Sequence, residues 1–194
     1  MKFSHLARLA GITLLAGTLA ACMDVDMDIE ILTAETGKAT MTMTVDSQTY
    51  QMISSQDDSD FCDEGEIVEN EDNVQCVDVK EGTFAEIFES SDPEEETPSI
   101  EDLGGGKVRV NFPTGDLAAS MGEDAGDDPQ MQAMMASMFE GKNLSISVSG
   151  GEILETNMEL SEDGSRATLT IPFVDMMNGE VDVPEDAYAV IQLP

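Results

Sequence analysis

The stretch that decides the fold is residues 23–32, MDVDMDIEIL, together with residues 38–46, KATMTMTVD. In each segment apolar or small residues alternate with polar ones. Since successive side chains of a β-strand point to opposite faces, this alternation predicts two half-buried strands, each with an apolar face and a polar face. The residues between them, 33–37, are typical of a turn, so the two strands are predicted to form an antiparallel hairpin.

Similar patterns follow along the chain and predict further strands. The predicted pairs are residues 66–69 with 74–79, residues 100–103 with 107–112, and residues 144–148 with 153–160 and then 167–171. A last strand is predicted over residues 187–193. Successive hairpins with helices between them indicate an α+β fold, in which a curved antiparallel sheet built from hairpins has helices packed on one face.

The helical segments are fewer. Thr83 and Glu86 have the spacing of a capping box and predict a short helix through residue 88, and residues 47–56 predict a weaker one. Between residues 129 and 141, four methionines recur at helical spacing: Met131, Met134, Met135 and Met138. A methionine-rich face is either ordinary core or a deformable surface that faces an apolar ligand, and both interpretations stay open.

The beginning of the chain has the features of a bacterial signal sequence. Lys2 and Arg8 are followed by an uncharged, apolar run over residues 9–21. This run is too short to cross a bilayer as a helix and is typical of a secretory leader. It ends in Leu19-Ala20-Ala21-Cys22, which resembles the lipobox of bacterial lipoproteins. The resemblance implies cleavage before Cys22, diacylglycerol on its sulfur and acylation of the new amine, typically with palmitate.

The predicted organisation is therefore a cleaved signal peptide, residues 1–21, and one lipid-anchored domain, residues 22–194. Two or three acyl chains anchor a protein stably without a transmembrane helix. We expect the domain to face the periplasm or the exterior, with the outer membrane slightly favoured because Met23 replaces the aspartate that retains enterobacterial lipoproteins at the inner membrane. Residues 90–99, SSDPEEETPS, are predicted to be an acidic surface loop.

The composition excludes several classes of function. The formal net charge is −33, which argues against nucleic acid as a partner. His5 is the only histidine and would leave with the signal peptide. The mature chain would then lack imidazole for Ser-His-Asp or Cys-His catalysis and for histidine-ligated zinc. We therefore predict no catalytic residue, no metal site and no cofactor.

Two cysteines remain after Cys22, namely Cys62 and Cys76. In an oxidising compartment they are predicted to form a disulfide, which would stabilise the fold by roughly 3 kcal/mol on the chain-entropy model. A redox-active pair is the alternative, but the C-x-x-C spacing is absent, and acidic neighbours Asp63 and Glu64 would raise rather than lower a thiol pKa.

The order of these segments and residues 164–173, GSRATLTIPF, are similar to uncharacterised alphaproteobacterial lipoproteins. More distantly, residues 22–175 resemble the LppM-type lipoproteins of actinobacteria. That resemblance implies a curved sheet folded over helices, related in shape to START-like lipid-binding proteins.

We therefore expect a non-catalytic, membrane-tethered protein that binds an apolar, lipid-like ligand or an envelope protein. Two alternatives stay open. One is a carboxylate-only hydrolase of the envelope, which would need a pair of Asp or Glu residues in a cleft. The other is low-affinity binding of divalent cations such as calcium by the acidic surface.

Overall fold

The structure is a computed structural model that describes residues 23–55, 61–62, 65–88, 97–115, 136–137, 139–178 and 183–194. It confirms the predicted α+β class. The described residues form two open sheets and three short helices, α1 Ser47–Ser54, α2 Phe84–Ile87 and α3 Phe173–Asn178. None of these helices is long and apolar enough to cross a membrane.

The larger sheet has seven strands: β1 Met23–Ile31, β2 Thr36–Asp46, β3 Glu66–Glu69, β4 Asn73–Thr83, β7 Asn143–Ser149, β9 Glu159–Leu160 and β10 Arg166–Pro172. Their order across the sheet is β3-β4-β2-β1-β7-β10-β9. The smaller sheet has four strands: β5 Ser99–Gly104, β6 Lys107–Pro113, β8 Glu152–Thr156 and β11 Asp186–Gln192. Their order is β5-β6-β11-β8.

Three of the hairpins predicted from alternation are present. Strands β1 and β2 pair antiparallel, with Met27 opposite Met41 and Asp28 opposite Thr40. Strand β3 pairs with β4, and β5 pairs with β6. The capping box at Thr83 also forms and starts helix α2. Local sequence patterns therefore predict these three hairpins correctly.

The long-range pairing differs from the single antiparallel sheet that the sequence predicts. Strand β7 lies parallel to β1, with Met27 opposite Ile146. The segment predicted as one strand over residues 153–160 is divided into β8 and β9, and β8 leaves the larger sheet to pair with β11. The predicted pairing of residues 144–148 with 153–160 is therefore wrong.

Two glycines explain why the chain changes sheets after β7. Gly150 has a φ of +123°, and a Cβ placed on it would overlap the carbonyl oxygen of Ile31 and lie 2.8 Å from the Ile31 nitrogen. A Cβ on Gly151 would overlap the carbonyl oxygen of Gln192 in the same way. Because Ile31 ends β1 and Gln192 ends β11, the glycine pair passes between the backbones of the two sheets, where only a residue without a side chain fits.

The main core lies between the inner faces of the two sheets. Its buried residues are Ile29, Ile31, Ile146, Val148, Met158, Ala167, Val108, Val110, Phe112, Ile153, Ala187, Ala189 and Ile191. The apolar faces predicted for β1 and β7 supply part of this set, and alternation along β6 and β11 supplies the opposite wall. Smaller clusters pack under α1, around Val45 and Ile53, and against α3, around Ile171 and Met176.

The predicted disulfide joins Cys62 to Cys76 on β4, with the Cα atoms 5.4 Å apart. Cys76 is buried, and it lies opposite Met43 of β2. A Cβ on Gly65 would lie within 3 Å of both cysteine sulfurs, so the chain approaches the disulfide as closely as a glycine allows. The bond therefore fixes the segment before β3 onto the inner face of the larger sheet.

Candidate functional site

The inner face of the larger sheet carries methionines that are only partly buried. Met27 and Met43 are half-buried, and Met41 is 38% exposed. Further along β1, Ile29 and Ile31 are fully buried against the smaller sheet. Met27, Met41 and Met43, called the methionine strip below, are thus only partly covered.

An apolar pocket of about 90 Å³ opens beside the methionine strip. Its lining residues are Met27, Ala39, Met41, Ile87, Phe88, Asp78 and Lys80. The first five supply the apolar wall. The two charged residues come from β4, where their side chains form a long ion pair of 4.0 Å. The pocket therefore has an apolar lining with one carboxylate and one ammonium group.

Helix α2 supplies one wall of this pocket, and its position follows from local interactions. The Thr83 backbone N–H and hydroxyl both donate to the Glu86 carboxylate, at 2.9 and 2.7 Å. Both bonds lower the pKa of Glu86, and the bond from the Thr83 hydroxyl has the larger effect. Phe84 stacks on Phe88 with ring centroids 6.4 Å apart, and it sits over Gly37, where a Cβ would lie 2.6 Å from the Phe84 ring.

The opposite face of the same sheet is polar. Along β1 it presents the carboxylates of Asp24, Asp26, Asp28 and Glu30, and the neighbouring strands present threonines and serines. Arg166 forms an ion pair with Asp28, and Lys142 forms one with Asp24 at 3.0 Å. A groove of about 420 Å³ runs along this face.

Several predicted site residues lie outside the part of the chain that the structure describes. These are the lipidation site Cys22 and the methionines Met131, Met134, Met135 and Met138. Most of the predicted acidic loop, residues 90–96, also lies outside it. Whether those methionines are core or ligand-facing therefore stays a prediction. Cys62 and Cys76 are described and form the disulfide.

The two alternative functions depend on acidic residues. Within the described ranges, no group of three or more His, Cys, Asp or Glu side chains is arranged to hold a metal ion. The buried polar residues in those ranges are Thr49 and Thr114, and neither carries a carboxylate. Hydrogen bonds lower the pKa of Asp46, mainly through the Thr49 hydroxyl, and lower that of Asp163 to about 2, mainly through Ser161. The hydrolase and the cation-binding hypotheses stay predictions.

The pocket itself could not be predicted from the sequence. The apolar side of residues 84–88 and the apolar faces of β1 and β2 were each visible as patterns. The helix packs against these strands because Ala39 lies opposite Lys80 and because Phe84 closely contacts Gly37. A glycine at the start of a strand was the one local signal of that contact, since glycine in strands often marks a close approach.

No protein-family model matches this chain, and no curated protein matches it. Among solved structures, the folded domain of LppM from Mycobacterium tuberculosis is similar, with 11% sequence identity and a TM-score of 0.46. The match covers 88% of this chain and 90% of that one.

Proposed function

We propose that this chain is a non-catalytic lipoprotein of a bacterial cell envelope that binds one alkyl chain of a lipid-like ligand beside its methionine strip. The observation that carries the proposal is the apolar pocket between Met27, Met41 and Phe88. The lipobox at Cys22 supports the envelope location and the anchor. The outer membrane remains the predicted membrane.

The size of the pocket defines what it would hold. Ligand pockets for drug-sized molecules enclose roughly 300–1,000 Å³, so a pocket of about 90 Å³ takes only the end of a chain. The rest of the chain would lie along Met41 and Met43. Methionine suits this role because its flexible, polarizable side chain repacks around different shapes. Each buried methylene contributes about 0.8 kcal/mol.

The charged residues of the pocket fit a ligand with a polar head. Lys80 is exposed and Asp78 half-buried, and their ion pair is long at 4.0 Å. Exposed ion pairs of this kind contribute roughly 0–1 kcal/mol, so a polar head group could replace it at little cost. An alkyl chain would then enter with its head near Lys80 and its end against Phe88.

Binding of a neutral apolar dye tests the proposal. The mature chain with Cys22→Ser, which carries no covalent lipid, would be titrated with Nile red and the dye displaced with a monoacylglycerol. Met41→Lys replaces an apolar side chain of the pocket wall by one with an ammonium group, and because Met41 is 38% exposed the chain should still fold. We expect at least a tenfold loss of affinity.

The matched control is Met52→Lys on α1, because Met52 is 55% exposed and does not line the pocket. This variant makes the same change in net charge and should bind the dye as the wild type does. The proposal is wrong if the wild type shows no saturable binding, or if the two lysine variants bind equally well.

A further inference from the structure

The polar face of the larger sheet has features that the proposed apolar ligand does not use. Its groove of about 420 Å³ is lined by Asp26, Asp28, Glu30, Lys38, Thr40, Thr42 and Arg166. Because side chains alternate along a strand, these residues point away from the methionine strip on the other side of the sheet. The two sites therefore lie on opposite faces of the sheet.

Beside the groove the same face carries valines among polar residues. Val79 of β4 lies opposite Thr40, and Val77 lies opposite Thr42, so both valines share the face of the groove. Val79 is 51% exposed, and Val68 on the edge strand β3, at 37%, lies on the same face next to Glu66, which is opposite Val77. The face therefore changes across the strands from exposed valines, through a row of threonine hydroxyls, to the carboxylates of β1.

The carboxylates of β1 differ in whether they are neutralised. Asp28 is paired with Arg166 and Asp24 with Lys142. Within the described part of the chain, Asp26 and Glu30 have no ion-pair partner, and both are exposed. Strand geometry places them about 13 Å apart along β1. Asp26 has hydroxyl neighbours, since it lies opposite Thr42 on one side and Ser145 on the other.

Two basic residues line the groove at its Glu30 end, and a third on the same face, Lys142, pairs with Asp24 beyond the other end. Lys38 is directly opposite Glu30, and Arg166 reaches the same end from β10 through the row that contains Ser149. Among the described residues that line the groove, none at the Asp26 end is a cation. Asp26 is therefore the groove carboxylate that lies farthest along β1 from Lys38 apart from Asp24, which pairs with Lys142, on a chain whose formal net charge is already −33.

We propose that this face is the docking surface for a cationic, amphipathic segment of a partner protein. Its apolar side chains would cover Val77 and Val79, and its basic side chains would reach Asp26 across the threonine row. Strands β4 and β1 are separated only by β2, and adjacent strands are about 4.8 Å apart. A lysine or arginine side chain of the segment can therefore reach from the valines of β4 to Asp26. A second copy of this chain is disfavoured because like net charges repel.

The orientation of the segment follows from Lys38. Its ammonium group would repel the basic residues of the partner, which places them toward Asp26 and away from Glu30. Opposite charges attract partners from a distance and set their orientation, whereas the exposed valines would contribute through burial of apolar area. The surface thus combines a directional charge pattern with an adjacent apolar border.

Isothermal titration with a synthetic probe tests the proposal. The probe is acetyl-KLLKLLKKLLKLLK-amide, titrated into the full mature chain carrying only Cys22→Ser. We expect saturable binding that weakens with added salt, and no binding of the same peptide with glutamate in place of lysine. Asp26→Asn and Val79→Ser should each weaken binding threefold to tenfold, and Lys38→Gln should strengthen it at least twofold.

Three matched controls lie on the smaller sheet, away from this face. Glu152→Gln, Leu154→Ser and Lys107→Gln repeat the same kinds of change at exposed positions of β8 and β6, and each should alter affinity less than twofold. The proposal is overturned if the probe does not bind saturably. It is also overturned if the controls change affinity as much as their counterparts, because binding would then depend only on net charge and nonspecific hydrophobic association.

Discussion

Replacing Gly150 by alanine tests the account of how the chain passes from the larger sheet to the smaller one. A Cβ at this position would overlap the backbone of Ile31, which cannot move without shifting the end of β1. Overpacking of this kind costs typically 1–3 kcal/mol, and a backbone conformation that only glycine adopts readily costs about 1–3 kcal/mol more. We therefore expect Gly150→Ala to lower the free energy of unfolding by about 2–6 kcal/mol.

For a chain of this length, a change of 1 kcal/mol moves Tm by about 2–4 °C, so Tm should fall by roughly 4–24 °C. Urea unfolding followed by far-UV circular dichroism measures the change, and it suits a chain without tryptophan. Gly164→Ala is the matched control, because Gly164 also has a positive φ, +71°, but a Cβ there would meet nothing within 4 Å. It should cost only about 1–2 kcal/mol. Equal losses in the two variants would refute the proposed crossing.

Four further predictions concern other parts of the chain. Asp46→Ala should cost about 1 kcal/mol in urea unfolding, because the Asp46 carboxylate caps α1 by accepting from the Gln48 and Thr49 backbone N–H groups; an unchanged midpoint would contradict this role. Reduction of the Cys62–Cys76 disulfide should lower the free energy of unfolding by roughly 3 kcal/mol. Because hydrogen bonds lower the pKa of Asp163 from 3.8 to about 2, its ionised form stabilises the fold above about pH 4, and this contribution is lost as the pH falls toward 2; Asp163→Asn should flatten the stability profile in that window. Intact mass spectrometry of the mature protein should find Cys22 first, with added diacylglycerol, and an unmodified or different first residue would disprove the anchor.

The sequence patterns predicted the local half of this fold. Alternation along residues 23–32 and 38–46 was enough to pair β1 with β2 and to assign their faces, because a hairpin brings together strands that are adjacent in sequence. The same reasoning succeeded for β3 with β4, for β5 with β6 and for the capping box at Thr83, since each of these features depends on residues only a few positions apart.

The remaining pairings could not be predicted in this way. Periodicity shows which side of a strand is buried but not which distant strand lies beside it, so the parallel pairing of β7 with β1 had no signal in either segment. The change of sheets after β7 was hidden because Gly150 and Gly151 read equally well as a hairpin turn. Only their contacts with Ile31 and Gln192 distinguish a crossing between sheets from a turn within one.

The candidate sites follow the same division. The apolar and polar faces of β1 were evident from the sequence, and so was their difference in character. The pocket and the groove depend on neighbours contributed by β2, β4, β10 and α2, whose register is a property of the whole fold. The bordering valines of β4 were expected within a strand, but their exposure on the side of Asp26 required the pairing of β4 with β2.

The most direct test of the account is native mass spectrometry of the acylated protein released from its host membrane in mild detergent. We predict a chain that retains one non-covalent apolar molecule in addition to its covalent lipid, and we predict that Met41→Lys loses this molecule while Met52→Lys keeps it. A wild-type protein that carries no such molecule, under conditions in which the detergent is shown to leave other lipoprotein–lipid complexes intact, would contradict the proposed function.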